Sequence, residues 1–206
     1  VLFVIYAAVA FGWRSVLQRR VTGDFGFRGV TGRPGSVEWC GGALFVIAIL
    51  TAVAAPIADL AGLAPIDALV VGPVQSVGVT LTILGIGATF DAQITMGASW
   101  RVGVDEAEHT ELVTTGAFGL IRNPIFTAMA VTGLGLVLVI PNIVGMAGLI
   151  ALVLALQLQV RGVEEPYLAR HHADDWVEYS HRVGRFLPGI GTIRHHESFG
   201  SREGAL

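Results

Sequence analysis

The chain has 206 residues, of which 53% are hydrophobic and only 14% charged, with a formal net charge of −3 and a mean hydropathy of +0.67. A soluble globular domain carries about 25% charged residues, so the composition speaks against a soluble enzyme and against a disordered chain. All 13 basic residues are arginine and form no repeated basic–aromatic pattern, so no nucleic-acid-binding function is expected.

The first apolar block spans residues 1–17 and is interrupted by Arg14. No small-residue cleavage site follows it, so it reads as a membrane segment and not as a signal peptide. A glycine-rich polar loop, 18–36, carries Arg19, Arg20, Arg28 and Arg33. A second apolar block, 37–58, holds the single cysteine, Cys40, which can form neither an internal disulfide nor a thiolate metal site. The acidic link 59–67 leads to a third block, 68–90.

Residues 91–124 are polar and amphipathic. Two shorter apolar blocks follow, 125–140 and 143–160, joined by the turn dipeptide Pro141-Asn142. They predict a helical hairpin, in which Gly133, Gly135, Gly145 and Gly148 allow close helix contact. From Arg161 onward the chain is polar. Within it Trp176, Tyr179 and Val183 recur at helical spacing, which predicts an interfacial amphipathic helix with the aromatics as membrane-interface anchors.

The expected fold is therefore all-α: a polytopic membrane bundle of about five transmembrane helices with a cytoplasmic C-terminal amphipathic segment. Alternating the sides puts Arg14–Arg33, Arg101, Arg122 and Arg161–Arg202 on one face, and Asp59, Asp67 and the Pro141-Asn142 turn on the other. The positive-inside rule makes the arginine face cytoplasmic, with the N-terminus outside and the C-terminus inside. Residues 1–90 form an N-terminal set of three helices. Residues 91–206 form the connector, hairpin and tail of the same integrated domain.

Two polar segments then meet at the inner ends of one hairpin. The first holds Thr115-Gly116-Ala117-Phe118 and Arg122-Asn123-Pro124-Ile125-Phe126. Gly116 permits a tight turn and Pro124 suits the first turn of a helix. Arg122 can clamp a carboxylate or anchor the chain at the membrane surface. The second holds Glu164-Glu165 at the end of an apolar helix, where the helix dipole disfavours negative charge. That conflict calls for a cationic partner or a ligand.

These segments, in this order and with one hairpin between them, resemble the isoprenylcysteine carboxyl methyltransferase family of integral membrane methyltransferases, to which the phospholipid N-methyltransferases are related. The resemblance runs from about Met96 to Gly189 and includes Tyr179, Val183 and Phe186-Leu187-Pro188 in the tail. It implies S-adenosylmethionine as methyl donor and a lipophilic small molecule or lipid as acceptor. It further implies a donor site lined by Thr115, Gly116, Arg122, Asn123, Phe126, Glu164 and Glu165, with backbone contacts from Leu112 and Val113. Arg122, Glu165 and Arg185 are the expected catalytic residues, Arg185 as a steering charge for an acidic acceptor. The chain departs from the family pattern at Asn123, where the family has histidine, and at Phe118 and Phe126, where it has tyrosine. Asparagine keeps hydrogen bonding but cannot titrate, so no proton chemistry is assigned to position 123.

Three other readings compete. A membrane reductase of the sterol-reductase type would use a nicotinamide cofactor, although Gly85-Ile86-Gly87 and Gly133-Leu134-Gly135 lack the third glycine of a dinucleotide fingerprint. A metal site would draw on His171, His172, Asp175, His181, His195 and His196. A non-enzymatic membrane protein would fit a decayed site.

Overall fold

A computed structural model describes residues 1–25, 30–100 and 111–193. Arg28, Arg101, Arg194, Arg202, His195 and His196, invoked above, lie outside the described residues. The described chain is all-α and builds five helical rods.

The first rod is continuous: α1 (Leu2–Ala7), a π turn (Ala8–Trp13) and α2 (Arg14–Thr22), stopped by Gly23 in the left-handed conformation (φ 82°). Arg14, in the sequence an interruption, is buried in the fold. Its guanidinium donates to Gly97 O and lies over the Trp100 ring, 4.8 Å from the centroid. The second rod, α3 (Val37–Leu60), is capped by Ser36, whose hydroxyl oxygen accepts from the Trp39 N–H. The third, α4 (Gly72–Met96), begins with a proline in its first turn and runs beyond residue 90 to a short 3-10 turn, Gly97–Ser99.

The hairpin follows as α5 (Pro124–Val139) and α6 (Ile143–Gln159). Asn142 sits at its tip, fully buried, and does two things. Its Oδ1 accepts from the Gly145 N–H and caps α6, while its Nδ2 donates to Ala55 O of α3. The chain does not stop at the end of α6. A π turn, Val160–Glu164, carries it directly into α7 (Glu165–Arg182), which kinks at Ala173 (φ 36°). The acidic pair therefore stands inside a continuing rod, not at a free helix end.

Three of the rods are long and apolar enough to cross a membrane: α3, α4 and the rod that starts at Ile143; α5 is a shorter apolar helix. The chain is an integral membrane protein. The most extensive helix contacts are α4 with α5 and α3 with α6. Small residues bring them close. Gly78 and Gly135 face one another across α4 and α5, and Gly148 lies against Thr51 of α3. Of the four hairpin glycines, only Gly133 faces the partner helix of the hairpin, through Leu149 and Leu152. Buried Thr82, Thr89 and Thr132 satisfy their hydroxyls on carbonyls four residues back.

The ends of the bundle are segregated. At one end the α3–α4 link meets the hairpin turn, through Ile66 N–H to Pro141 O and through Asn142 to Ala55. At the other end lie the start of α3, the end of α4, the start of α5 and all of α7.

Candidate active site

The site begins with a local strap. Pro124 opens α5, residues 121–123 lead into it, and residues 184–186 lie alongside. Arg122 N–H donates to Gly184 O (2.8 Å), Asn123 N–H and Nδ2 both donate to Arg185 O (3.1 Å each), and Thr127 Oγ1 donates to Phe186 O (3.0 Å). Gly184 also lets the turn that follows fold back on it, since a Cβ there would collide with Leu187 O and with the Gly189 and Ile190 amide nitrogens, the last two at 2.8 Å.

The strap aims two guanidinium groups at one carboxylate. Arg122 donates through Nη2 and Nε to Glu165 Oε1 (2.7 and 3.3 Å). Arg185 donates through Nε to Oε1 (2.8 Å) and through Nη2 to Oε2 (2.7 Å), a two-point clamp. Arg122 spends its remaining donors on Ser180 O, Val183 O and Gly191 O, and so closes the C-terminal end of α7. Its side chain is 1% exposed and lies 5.6 Å from the Trp176 ring centroid. Burial acts to raise the Glu165 pKa, but the hydrogen bonds and charges of Arg185 and Arg122 outweigh it and hold the carboxyl below its ordinary value.

Above this clamp opens a cavity of about 620 Å³, within the range of small-molecule sites. Leu112, Val113, Arg122, Asn123, Phe126, Glu164 and Glu165 all line it. Arg185 does not; it stands behind Glu165. Thr115 and Gly116 are not in the wall either. Gly116 makes the expected turn, with φ 57°, and Thr115 O accepts from the N–H of Phe118, which is in the wall.

Trp176 and Tyr179 differ from expectation. They are buried, 4% and 3% exposed, packed with Val183 against Leu112 and Leu168, and both line the cavity. They are not interface anchors, because the apolar face of α7 meets protein. Tyr179 Oη donates to Phe118 O at 2.7 Å, and burial, partly offset by the Arg122 charge, pushes its pKa up to about 12.

The N-terminal half contributes wall residues that the motifs did not indicate, among them Tyr6, Glu38, Phe45 and Gln93. The available signal was a glutamine in an apolar helix, which is costly unless it has a partner. Among the described residues, no group of three or more His, Cys, Asp or Glu is placed to hold a metal ion.

The phospholipid methyltransferase family model matches residues 74–175, a stretch that runs from α4 into α7 and contains Arg122, Asn123, Glu164 and Glu165. Two curated relatives match similar lengths. The nickel-cobalt-cadmium resistance protein NccN of Alcaligenes xylosoxydans xylosoxydans is 25% identical over 124 residues, 59% of this chain and 57% of that protein. Protein-S-isoprenylcysteine O-methyltransferase B of Arabidopsis thaliana is 26% identical over 119 residues, 57% of this chain and 60% of that protein. The chain thus spans less than two thirds of the length of either relative. A eukaryotic intramembrane Ras methyltransferase, ICMT (isoprenylcysteine carboxyl methyltransferase), has the same fold, with a TM-score of 0.63 at 18% identity over 94% of this chain and 68% of that one.

Proposed function

We propose that the chain is a membrane methyltransferase of the isoprenylcysteine carboxyl methyltransferase-like family, and that it moves a methyl group from S-adenosylmethionine to a lipophilic acceptor at the cytoplasmic membrane face. The observation that carries this reading is the shape of the cavity. One wall is polar, built on the Arg122–Glu165–Arg185 clamp with Glu164 beside it. The cavity adjoins a second, almost wholly apolar one of about 300 Å³, and the two share Tyr6, Phe11, Phe45, Ile49 and Met129. A water-soluble donor and a lipid-soluble acceptor need such a pair of adjoining environments.

When bound, S-adenosylmethionine supplies a sulfonium-activated methyl carbon, which the acceptor heteroatom takes by in-line displacement while the sulfur keeps the electron pair. Such a transfer asks the protein mainly to align two reactants and exclude water. The Glu164 carboxylate suits hydroxyl or cationic groups of the donor, and the backbone at Leu112 and Val113 suits its adenosine. Asn123 hydrogen-bonds without titrating. Phe126 and Phe118 keep water out. Arg122 and Arg185 act through Glu165 as positioning residues, since their guanidinium groups are already engaged within the wall. Arg185 is therefore not proposed to steer the acceptor.

The cytoplasmic assignment rests on charge. Arg33, Arg122, Arg161, Arg170, Arg182 and Arg185 all belong to segments at the same end of the bundle, with the donor-side wall. Calorimetry with S-adenosylhomocysteine on the folded protein in detergent tests the central claim. Binding is expected, and folded protein that takes up none would overturn it.

A further inference from the structure

The cavity holds a polar contact that the donor site leaves unused. Gln93 of α4 is 2% exposed and lines the cavity wall. Its Nε2 donates to Ala10 O at 2.8 Å. A carbonyl can only accept, so this bond fixes which end of the amide is oxygen. Ala10 lies in the π turn of the first rod, the kind of local widening that lets a helix carbonyl serve a side chain. Gln93 Oε1 is then left buried and, among the described residues, without a donor. Tyr6, one turn before Ala10, presents a second buried oxygen: among the described residues no group donates to its Oη, and the ring lines both cavities. Neighbouring Thr89 donates its hydroxyl to Gly85 O at 2.9 Å, so towards Tyr6 it can only accept, and the Tyr6 oxygen is left to accept from a guest.

Buried acceptors without donors are costly, and they persist where a guest supplies the donor. The position of these two fits a guest's head group. Tyr6 stands where the polar cavity adjoins the apolar one, so a molecule with its tail in the apolar cavity brings its head to Tyr6 and Gln93. The same wall carries the carboxylates of Glu38 and Glu111. Among its described residues the one cation is Arg122, which is saturated by Glu165 and three carbonyls.

We infer that Gln93 and Tyr6 form the head-group contact for the acceptor, and that they select a lipophilic alcohol, phenol or amine over a carboxylate. An N–H or O–H of the head group donates to Gln93 Oε1, to Tyr6 Oη or to both. A carboxylate has no hydrogen for either oxygen, and it enters a cavity whose wall also carries Glu38 and Glu111. The word acceptor rests on the methyl-transfer reading; the contact itself does not.

The test uses three probes with one tail: 4-dodecylphenol, 4-dodecylaniline and 4-dodecylbenzoate. Their equilibrium binding to the full chain is measured in detergent micelles, with S-adenosylhomocysteine binding measured in parallel. The phenol, the aniline or both are expected to bind about tenfold tighter than the benzoate. Gln93→Leu is expected to abolish that difference while S-adenosylhomocysteine affinity stays unchanged. Tyr6→Phe, which keeps the ring, is expected to weaken the phenol and aniline and leave the benzoate as it was, and it serves if Gln93→Leu fails to fold. Benzoate binding as tightly as the other two, no binding of any probe, or a preference that survives both substitutions would overturn the inference. Selective binding of the phenol or aniline without S-adenosylhomocysteine binding would support the contact and remove the methyl-transfer reading.

Discussion

Arg122 and Glu165 stand 43 residues apart in the chain and 2.7 Å apart in the fold, and Arg185 closes on the other carboxylate oxygen at the same distance. One carboxylate thus compensates two guanidinium groups, one of them almost wholly buried. Removing it leaves the Arg122 guanidinium with backbone carbonyls alone and takes away the two-point partner of Arg185. Breaking such a buried pair costs about 3–5 kcal/mol. Glu165→Ala should therefore lower the thermal unfolding midpoint strongly in detergent, with or without ligand. Glu164→Ala should lower that midpoint less and weaken S-adenosylhomocysteine binding. Equal effects of the two substitutions on stability would mean that the clamp does not hold the wall.

The same clamp sets an acid limit. The Glu165 pKa is held below its ordinary 4.5 because, against burial, Arg185 and Arg122 stabilise the charged form. A carboxyl with a depressed folded pKa contributes stability that is fully present above its unfolded pKa and is lost as pH falls through the folded value. Thermal unfolding midpoints should thus show no contribution from this group between about pH 7 and about pH 5, and a decline below that. Glu165→Gln should start lower and lack that share of the acid decline. A parallel acid decline in both proteins would assign the limit to other groups.

At the alkaline end Tyr179 is the group to watch. Its pKa is raised from 10.0 to about 12, and its hydroxyl is bonded to Phe118 O. A raised folded pKa means stability that is complete below pH 10 and lost as pH rises through about 12. Tyr179→Phe should cost about 1 kcal/mol at neutral pH, since Phe118 O loses its buried donor. It should also remove this alkaline share. Tyrosinate absorbance during a pH titration measures the second effect directly.

Much of this site is legible in the chain because its parts are close in sequence. Arg122, Asn123 and Pro124 are consecutive, Glu164 and Glu165 are adjacent, and one hairpin between them dictates that they meet. Apolar block lengths likewise give the helical rods. What remained hidden depends on tertiary partners. Helical spacing shows that Trp176 and Tyr179 share an apolar face, but not whether that face meets lipid or protein. The π turn at Ala8–Trp13, which gives Gln93 its bond to Ala10, has no local sequence mark. Arg185 is expected from the resemblance, but as a steering charge; that its partner is Glu165, 20 residues back, has no local sequence mark.

Helix packing offers a test that does not depend on function. On α4, a Cβ at Gly78 would come within 2.8 Å of Gly135 O and Leu138 Cβ, whereas a Cβ at Gly87 would meet nothing within 4 Å. Both glycines are helical, so alanine gains the same backbone benefit at either, up to about 1 kcal/mol. At Gly87 that gain should stand alone, and Gly87→Ala should raise the unfolding midpoint or leave it unchanged. At Gly78 the added methyl pushes α4 from α5, at a typical overpacking cost of about 1–3 kcal/mol, and the net effect should be destabilising. Unfolding scans of the two variants side by side in one detergent measure the difference. Equal midpoints would mean that α4 and α5 do not meet at Gly78 and Gly135.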